Sequence, residues 1–187
     1  MSERFPFLGG TFQIFPGEQV WRRVGKGEDH VGIVLGEEPR MGENCEMLCL
    51  GQMRYCVVAS RKSPLAVQKT VRQQDLAHYR QILFSEENSR YIVSPTFWVV
   101  NDVLCAVYWA ALGVGWTAIP LTLAKRIAHD ASMRDLVILD MDRVSFPVGN
   151  VYLLWNTEFK RREVVEFFRS DLRKRYGMLG GSGNGFF

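Results

Sequence analysis

The chain has 187 residues, of which 47% are hydrophobic and 23% charged, and its net charge is +3. This length predicts one domain, or two small lobes, with a substantial buried core. The charge is too small to indicate nucleic-acid binding, and the longest apolar run is about half as long as a membrane span. No charged and apolar leader opens the chain, so we expect a cytoplasmic protein with no membrane contact.

Cysteine and histidine positions argue against metal or cofactor sites. The three histidines are scattered, and the cysteines at 45, 49, 56 and 105 form no C-x-x-C pair. Each cysteine lies among apolar residues, which predicts buried free thiols in a reducing compartment. A thiol-based redox switch remains the alternative interpretation of these cysteines.

The first third of the chain predicts strands around one short helix. Residues 11–15 alternate as a strand would, and 18–24 form a helix with Val20, Trp21 and Val24 on one face. The almost wholly apolar run at 31–35 suits an interior parallel strand that is buried on both faces. Two β-rich runs, 47–50 and 54–59, are separated by Gly51-Gln52 and are expected to be adjacent strands, with a hairpin as one arrangement.

The middle of the chain predicts alternating helices and strands. Expected elements are a helix at 71–78 capped by Thr70, strands at 80–84 and 97–100, and an apolar helix at 103–112. Asn101-Asp102 at the start of the apolar helix leaves backbone N–H groups that could hold an anion. Two glycines then lead from this helix into the next strand, as in an αβ unit.

The last third continues the alternation. We expect a strand at 116–119, a helix at 121–128, and strands at 136–139 and 148–155. An amphipathic helix at 160–176 closes this part of the chain.

Alternating strands and helices predict an α/β fold. Residues 61–145 would form a second lobe, while 1–60 and 146–187 would come together as the first lobe, with 177–187 as a flexible tail. Two lobes joined by two crossovers would form a hinged clamp with a ligand between them.

Several runs in fixed order resemble the effector-binding domain of LysR-type transcriptional regulators. Residues 29–36 resemble that family's aspartate, aliphatic strand and glycine, and 55–60 followed by 63–66 resemble its crossing strand and "hPLA" turn. Residues 110–120 resemble its "aaGlGia.lP" signature. Weaker matches occur at 75–76, 136–137, 152–154 and 163–172, so the resemblance covers about residues 11–176.

The resemblance implies a two-lobed, periplasmic-binding-protein-like (type 2) α/β fold with two crossover strands. The family's helix-turn-helix and linker helix do not occur in these residues, and neither do the regulatory domain's first strand and helix. The chain alone is therefore not expected to bind operator DNA, which would need a helix-turn-helix domain absent from this chain. A homodimer or homotetramer is the implied assembly.

By position, the resemblance implies a small-molecule effector held by loop ends and helix starts of both lobes. The residues implied are Gly36, Glu37, Ala59, Ser60, Arg61, Phe84, Ser85, Val100, Asn101 and Asp102. Arg61 could pair with a carboxylate, while Ser60 and Asn101 could donate hydrogen bonds. Glu37 and Asp102 would disfavour a dianionic effector.

Tryptophans at 98, 109 and 116 are expected to lie mainly in the core. One of them, with Trp98 as the first candidate, could instead stack on an aromatic ligand.

Motifs for catalysis are missing from the sequence. Ser60 has no histidine or aspartate at a recognisable spacing, and there is no G-x-S-x-G turn. Gly113-Val114-Gly115 lacks a third glycine and follows a helix, so it is not a dinucleotide fingerprint. We therefore expect no enzyme and no catalytic residues. The leading hypothesis is an effector-sensing regulatory domain, and the alternative is a stand-alone solute-binding protein of the same fold.

Overall fold

A computed structural model of the protein describes residues 4–36, 44–84, 91–142 and 149–177, apart from the side chains of 175–177. The chain folds into two compact units. The first unit comprises Met1–Met53 and Gly149–Phe187, and the second comprises Arg54–Val148. The flexible tail expected at 177–187 lies outside the described residues, except for Gly177.

The helices and strands alternate along the chain. In chain order they are α1 (Gly17–Gly25), β1 (Val31–Gly36), β2 (Cys45–Met53), β3 (Tyr55–Ser60), α2 (Gln73–Leu76), β4 (Gln81–Phe84), β5 (Phe97–Val100), α3 (Val103–Ala111), β6 (Trp116–Pro120), α4 (Leu121–Ile127), a 3-10 helix (Ala131–Met133), β7 (Leu136–Ile138), β8 (Gly149–Asn156) and α5 (Arg162–Gly177).

The first unit has a three-stranded antiparallel sheet in the order β1-β8-β2. The central strand β8 is buried from Val151 to Leu154. Helix α1 lies against β1 and presents Val20, Trp21 and Val24 to the core, as the sequence predicts. A Cβ on Gly32 would lie 2.5 Å from the Cγ1 of Val20, so the close approach of α1 to β1 requires glycine there.

Two sequence predictions in the first unit are wrong. Residues 11–15 form no strand. The apolar run at 31–35 is not an interior parallel strand, because β1 pairs antiparallel with β8 and lies at the edge of the described sheet. Its outward side chains, Ile33 and Leu35, remain 44% and 48% exposed. A uniformly apolar run carries no period from which one buried face could be predicted.

The hairpin considered around Gly51-Gln52 is also absent. Strand β2 pairs with β8, whereas β3 pairs with β6 and β7 in the other sheet. Gly51 has a φ of 151° and lies at a register shift within β2. The glycine therefore marks a β-bulge instead of a turn. Strand β3, which the sequence analysis assigns to the first lobe, consequently belongs to the second unit.

The second unit has a five-stranded mixed sheet in the order β5-β4-β6-β3-β7. Strands β4 and β5 are parallel, β4 and β6 are parallel, and β3 is antiparallel to both β6 and β7. Trp116 is fully buried in this unit, and its Nε1 donates to the backbone oxygens of Leu76 and Tyr79 at 3.0 and 3.1 Å. This tryptophan is a core residue, as expected.

The helices predicted at 18–24, 103–112, 121–128 and 160–176 are confirmed within two residues at each end as α1, α3, α4 and α5. Helix α2 is much shorter than predicted, and its N-cap is Arg72 instead of Thr70. The carboxylate of Asp75 accepts from the backbone N–H of Arg72 at 2.9 Å, which fixes this short turn.

Candidate functional site

The sheet of the second unit has two rims that differ in strand direction. Strands β4, β5 and β6 end at one rim, which we name the carboxyl rim after its last residues, Phe84, Val100 and Pro120. They begin at the opposite amino rim. Because β3 runs antiparallel to β6, with Tyr55 opposite Pro120, it starts at the carboxyl rim and ends at the amino rim.

Four of the residues implied by the family resemblance lie at the carboxyl rim. Phe84 and Val100 lie opposite each other at the ends of β4 and β5. Asn101 and Asp102 directly follow Val100, and both residues are exposed. Ligands of open α/β sheets bind at the carboxyl ends of the strands, so this rim is the favourable one.

Ser60 and Arg61 lie at the amino rim, because Ala59 is opposite Trp116, the first residue of β6. The five residue steps from Tyr55 to Ser60 correspond to roughly 16 Å along the strand. The structure therefore does not bring Ser60 and Arg61 together with the residues of the carboxyl rim. Ser60 is also only 1% exposed, and its hydroxyl accepts from the backbone N–H of Lys62 at 3.3 Å.

The carboxyl rim includes two residues that the sequence analysis missed. Tyr55 begins β3, and the exposed Arg54 precedes it at the point where the chain enters the second unit. The backbone oxygen of Arg54 accepts from the backbone N–H of Leu121 at 2.8 Å, which ties this entry point to the start of α4. The sequence carries no signal that places these two residues there, because the direction of β3 relative to its neighbours is fixed only by its antiparallel pairing with β6.

Three other expected residues cannot be placed at this rim. Gly36 is in the first unit, where it ends β1 opposite Asn150 with a φ of 127°. Glu37 and Ser85 lie outside the described residues.

Asp102 changes the electrostatics expected at the start of α3. It is the N-cap residue, and its Oδ1 accepts from the backbone N–H of Cys105 at 3.0 Å. The carboxylate thus fills part of the space in which an anion was expected, and its charge would repel a second anion nearby. The helix start therefore provides a polar surface with one negative charge and not an open anion site.

The tryptophans have different environments. Trp98 is 43% exposed and contacts Trp109 edge-to-face, with 5.3 Å between the ring centroids. The guanidinium carbon of Arg80 lies 4.1 Å from the Trp98 ring centroid. One face of the Trp98 ring is therefore already covered by a cation, which leaves less surface for a stacked ligand.

The cysteines are all free. Burial raises the pKa of the Cys56 thiol to about 11 and also raises the pKa of Cys45, so both thiols resist ionisation. Cys49 is exposed.

Within the described parts of the chain, no group of three or more His, Cys, Asp or Glu side chains could hold a metal ion. None of the described helices is long and apolar enough to cross a membrane.

A cavity of about 390 Å³ opens at the amino rim. Its lining comes from the end of β3 and the following turn, from Tyr79 and Arg80, from the end of α3 through Gly115, and from Asp135. Of the residues expected at the effector site, Ser60 lines this cavity.

The LysR substrate-binding domain model matches residues 1–177 of the sequence, which is nearly the whole chain. The chain belongs to the LysR substrate-binding domain family. This confirms the resemblance seen in the sequence and, with it, the mixed α/β fold of the periplasmic-binding-protein-like type 2 class. The LysR-family domain is an effector-sensing regulatory domain that binds a small molecule.

Solved structures share the fold of this LysR-family domain at low sequence identity. The CcmR regulatory domain from Synechocystis PCC6803, in complex with 2-PG, has a TM-score of 0.69 and 16% identity, covering 94% of this chain and 86% of that one. The reduced regulatory domain of OxyR2 from Vibrio vulnificus has a TM-score of 0.70 and 18% identity, covering 92% and 84%. The effector-binding domain of QuiR with shikimate has a TM-score of 0.63 and 17% identity, covering 88% and 79%. None of the curated proteins matches the sequence.

Proposed function

We propose that the carboxyl rim of the second unit holds the effector of this LysR-family domain, with Arg54, Tyr55, Phe84, Val100, Asn101 and Asp102 as its contact residues. The observation that supports the proposal is the register of the sheet, which ends three parallel strands at one rim beside the start of α3. The carboxyl ends of strands are where open α/β sheets receive ligands.

The charges at this rim favour a neutral or singly charged effector. The guanidinium of Arg54 is exposed there and could pair with one carboxylate. The carboxylate of Asp102 would repel a second negative charge. Two proteins of the same fold are described with 2-PG and with shikimate, which supports small organic molecules as the class to test first.

The wider role that we propose is regulatory. The chain would act as the sensing part of a cytoplasmic LysR-type transcriptional regulator, as a homodimer or homotetramer, with DNA contacted by a helix-turn-helix outside residues 1–187. It would have no catalytic activity. A stand-alone solute-binding protein of the same fold is the alternative, and a helix-turn-helix encoded upstream of Met1 in the same gene would decide against it.

Thermal-shift screening of small acids, aromatics and amines tests the binding proposal, because a ligand raises the melting temperature by mass action.

For a compound found in this way, Asn101→Ala should weaken binding by roughly tenfold through the loss of a side-chain amide contact. Asp102→Asn should improve the binding of dianionic analogues, because it removes the repelling charge but keeps the helix cap.

Ser60→Ala is the matched control, because it removes a polar group at the amino rim and should leave the dissociation constant unchanged. Equal losses of affinity in Ser60→Ala and Asn101→Ala would contradict the assignment of the effector to the carboxyl rim.

A further inference from the structure

Strand β1 has an open edge in the sheet of the first unit. It pairs with β8 on one side, and among the residues that the structure describes no strand pairs with it on the other. An edge strand presents unpaired N–H and C=O groups, and proteins usually protect such an edge with a charge, a proline or a bulge. Whether β1 has such protection decides whether a further strand can pair with it.

None of these protections occurs in β1. Residues 31–36 contain no charged side chain and no proline, and their register with β8 runs without a shift. The opposite edge of the same sheet is different, because β2 carries the exposed Glu46 and a bulge at Gly51. The carboxylate nearest to the start of β1, that of Asp29, accepts from Arg23 at 2.7 Å, so its charge is offset. The strand β1 itself therefore presents no charge to an approaching strand.

The register shows which backbone groups of β1 face the open edge. The backbone oxygen of His30 accepts from the backbone N–H of Asn156 at 3.0 Å, so these two residues form a hydrogen-bonded pair. Hydrogen-bonded pairs alternate along an antiparallel ladder. The even-numbered residues of β1 consequently bond to β8, and the odd-numbered ones direct their N–H and C=O groups to the open edge. These are Val31, Ile33 and Leu35.

The same strand has one covered face and one exposed face. Gly32 and Val34 are buried on the face where α1 lies against β1 and β8. Ile33 and Leu35, on the other face, are 44% and 48% exposed. A strand added at this edge would therefore gain backbone hydrogen bonds and would also cover exposed apolar side chains.

A second copy of β1 matches this edge in one register. If the two strands run antiparallel and Ile33 lies opposite Ile33 of the second copy, Val31 lies opposite Leu35. The backbone groups that face outward then meet each other, which allows about six hydrogen bonds. The side chains on the exposed face form aliphatic cross-strand pairs, and no like charges come together within the strands. The contact has two-fold symmetry and closes on itself.

We propose that two copies of this chain associate by antiparallel pairing of their β1 strands, which joins their two sheets into one. The proposal names an interface for the homodimer of the proposed function. It does not rest on the effector site, which lies in the second unit. One short edge buries less surface than a standard interface, so the dimer is weak and depends on concentration.

Amide hydrogen exchange of the wild-type chain, followed by nuclear magnetic resonance over a roughly hundredfold range of protein concentration, tests the pairing. The amides of Val31, Ile33 and Leu35 should exchange fast in the dilute protein and slowly in the concentrated protein. The amides of Gly32 and Val34 should exchange slowly throughout, because they bond to β8. This alternation distinguishes pairing through β1 from a dimer formed elsewhere on the molecule.

Charge variants at Ile33 test the register by sedimentation equilibrium. Ile33→Glu and Ile33→Lys each place two like charges opposite each other and should weaken association at least about tenfold. An equimolar mixture of the two variants places opposite charges there and should associate at least about fivefold more tightly than either variant alone.

Ile138→Glu is the matched control. Ile138 is 45% exposed and lies on β7, which is an edge strand of the other sheet. This variant should associate as the wild type does.

The proposal would be overturned by equal association of Ile33→Glu and the wild type, or by a mixture that associates no better than its components. Amides at 31, 33 and 35 that are protected even in the dilute protein would show that the chain itself covers this edge. A dimer in which these three amides stay unprotected would overturn this interface and leave the homodimer and the effector site of the proposed function standing.

Discussion

Gly115 lies where β6 begins, and no other residue fits there without backbone movement. A Cβ at this position would lie 2.3 Å from the backbone oxygen of Arg80. That oxygen also accepts from the backbone N–H of Trp116 at 2.9 Å, so it cannot move away freely. Gly115→Ala should therefore lower the free energy of unfolding by about 2–4 kcal/mol, measured by urea unfolding with tryptophan fluorescence.

The matched control is Gly9→Ala, because nothing lies within 4 Å of a Cβ at Gly9. This variant should stay within about 0.5 kcal/mol of the wild type. A Gly115→Ala protein as stable as the control would mean that the start of β6 can shift away from Arg80 at little cost.

Cys56 makes stability depend on pH in the alkaline range. Burial raises its pKa from the ordinary 9.0 to about 11, so between these values the folded chain holds a proton that the unfolded chain has lost. Cys56 should therefore make the free energy of unfolding fall as the pH rises from 9 to 11 and should contribute no slope below 9. Urea midpoints of the wild type and Cys56→Ala across this range measure the contribution.

Cys49→Ala is the control, since it removes an exposed cysteine and leaves Cys56 in place. If Cys56→Ala keeps the full alkaline loss of stability, the slope must arise from another group.

Residue identity alone could not place all the members of the candidate site. The positions of Phe84, Val100, Asn101 and Asp102 at one rim could be predicted, because each follows or ends a strand that runs in the same direction. Ser60 and Arg61 also follow a strand, but β3 runs the other way. A sequence shows where a strand ends but not at which rim of the sheet it ends. The residues expected at one site therefore lie at both rims.

The element that organises the carboxyl rim is α3, and Asp102 stabilises its start. The bond from the N–H of Cys105 to Oδ1 satisfies one of the free donors in the first turn. Asp102→Ala should lower the free energy of unfolding by about 1 kcal/mol, whereas Asp102→Asn should change it by only a few tenths, because asparagine caps as well as aspartate does. Urea unfolding of the two variants measures the difference.

Equal losses in the two variants would show that the charge of Asp102, and not its hydrogen bond, stabilises the start of α3. The comparison also supports the ligand-binding experiment, since it establishes whether Asp102→Asn alters the charge without disturbing the helix.

Elements with a local signature could be predicted, and elements defined by distant partners could not. Helices α1 and α5 carry apolar residues at a helical period, and α3 ends in two glycines, so their positions followed from the sequence. The partner of β2 was wrongly predicted, because its true partner, β8, lies about a hundred residues further along the chain. Nothing near Gly51 distinguishes a bulge in a long strand from a turn between two strands.

At the scale of the whole molecule, the two units differ in how many segments of the chain form them. The second unit is continuous from Arg54 to Val148, whereas the first needs segments from both ends of the chain. The family match over residues 1–177 spans both units. The α/β class and the effector-sensing role could be predicted from ordered motifs, but the boundary between the units could not, because the pairing of β3 decides it.

The identity of the rim that holds the effector is the claim on which the proposed mechanism of sensing depends. The most direct test is a map of amide chemical shifts on the intact chain, titrated with the tightest compound from the thermal-shift screen. We predict that the saturable shifts fall at residues 54–55, 84 and 100–103. Shifts confined to residues 60–65 and 111–115, with none at the carboxyl rim, would contradict the account.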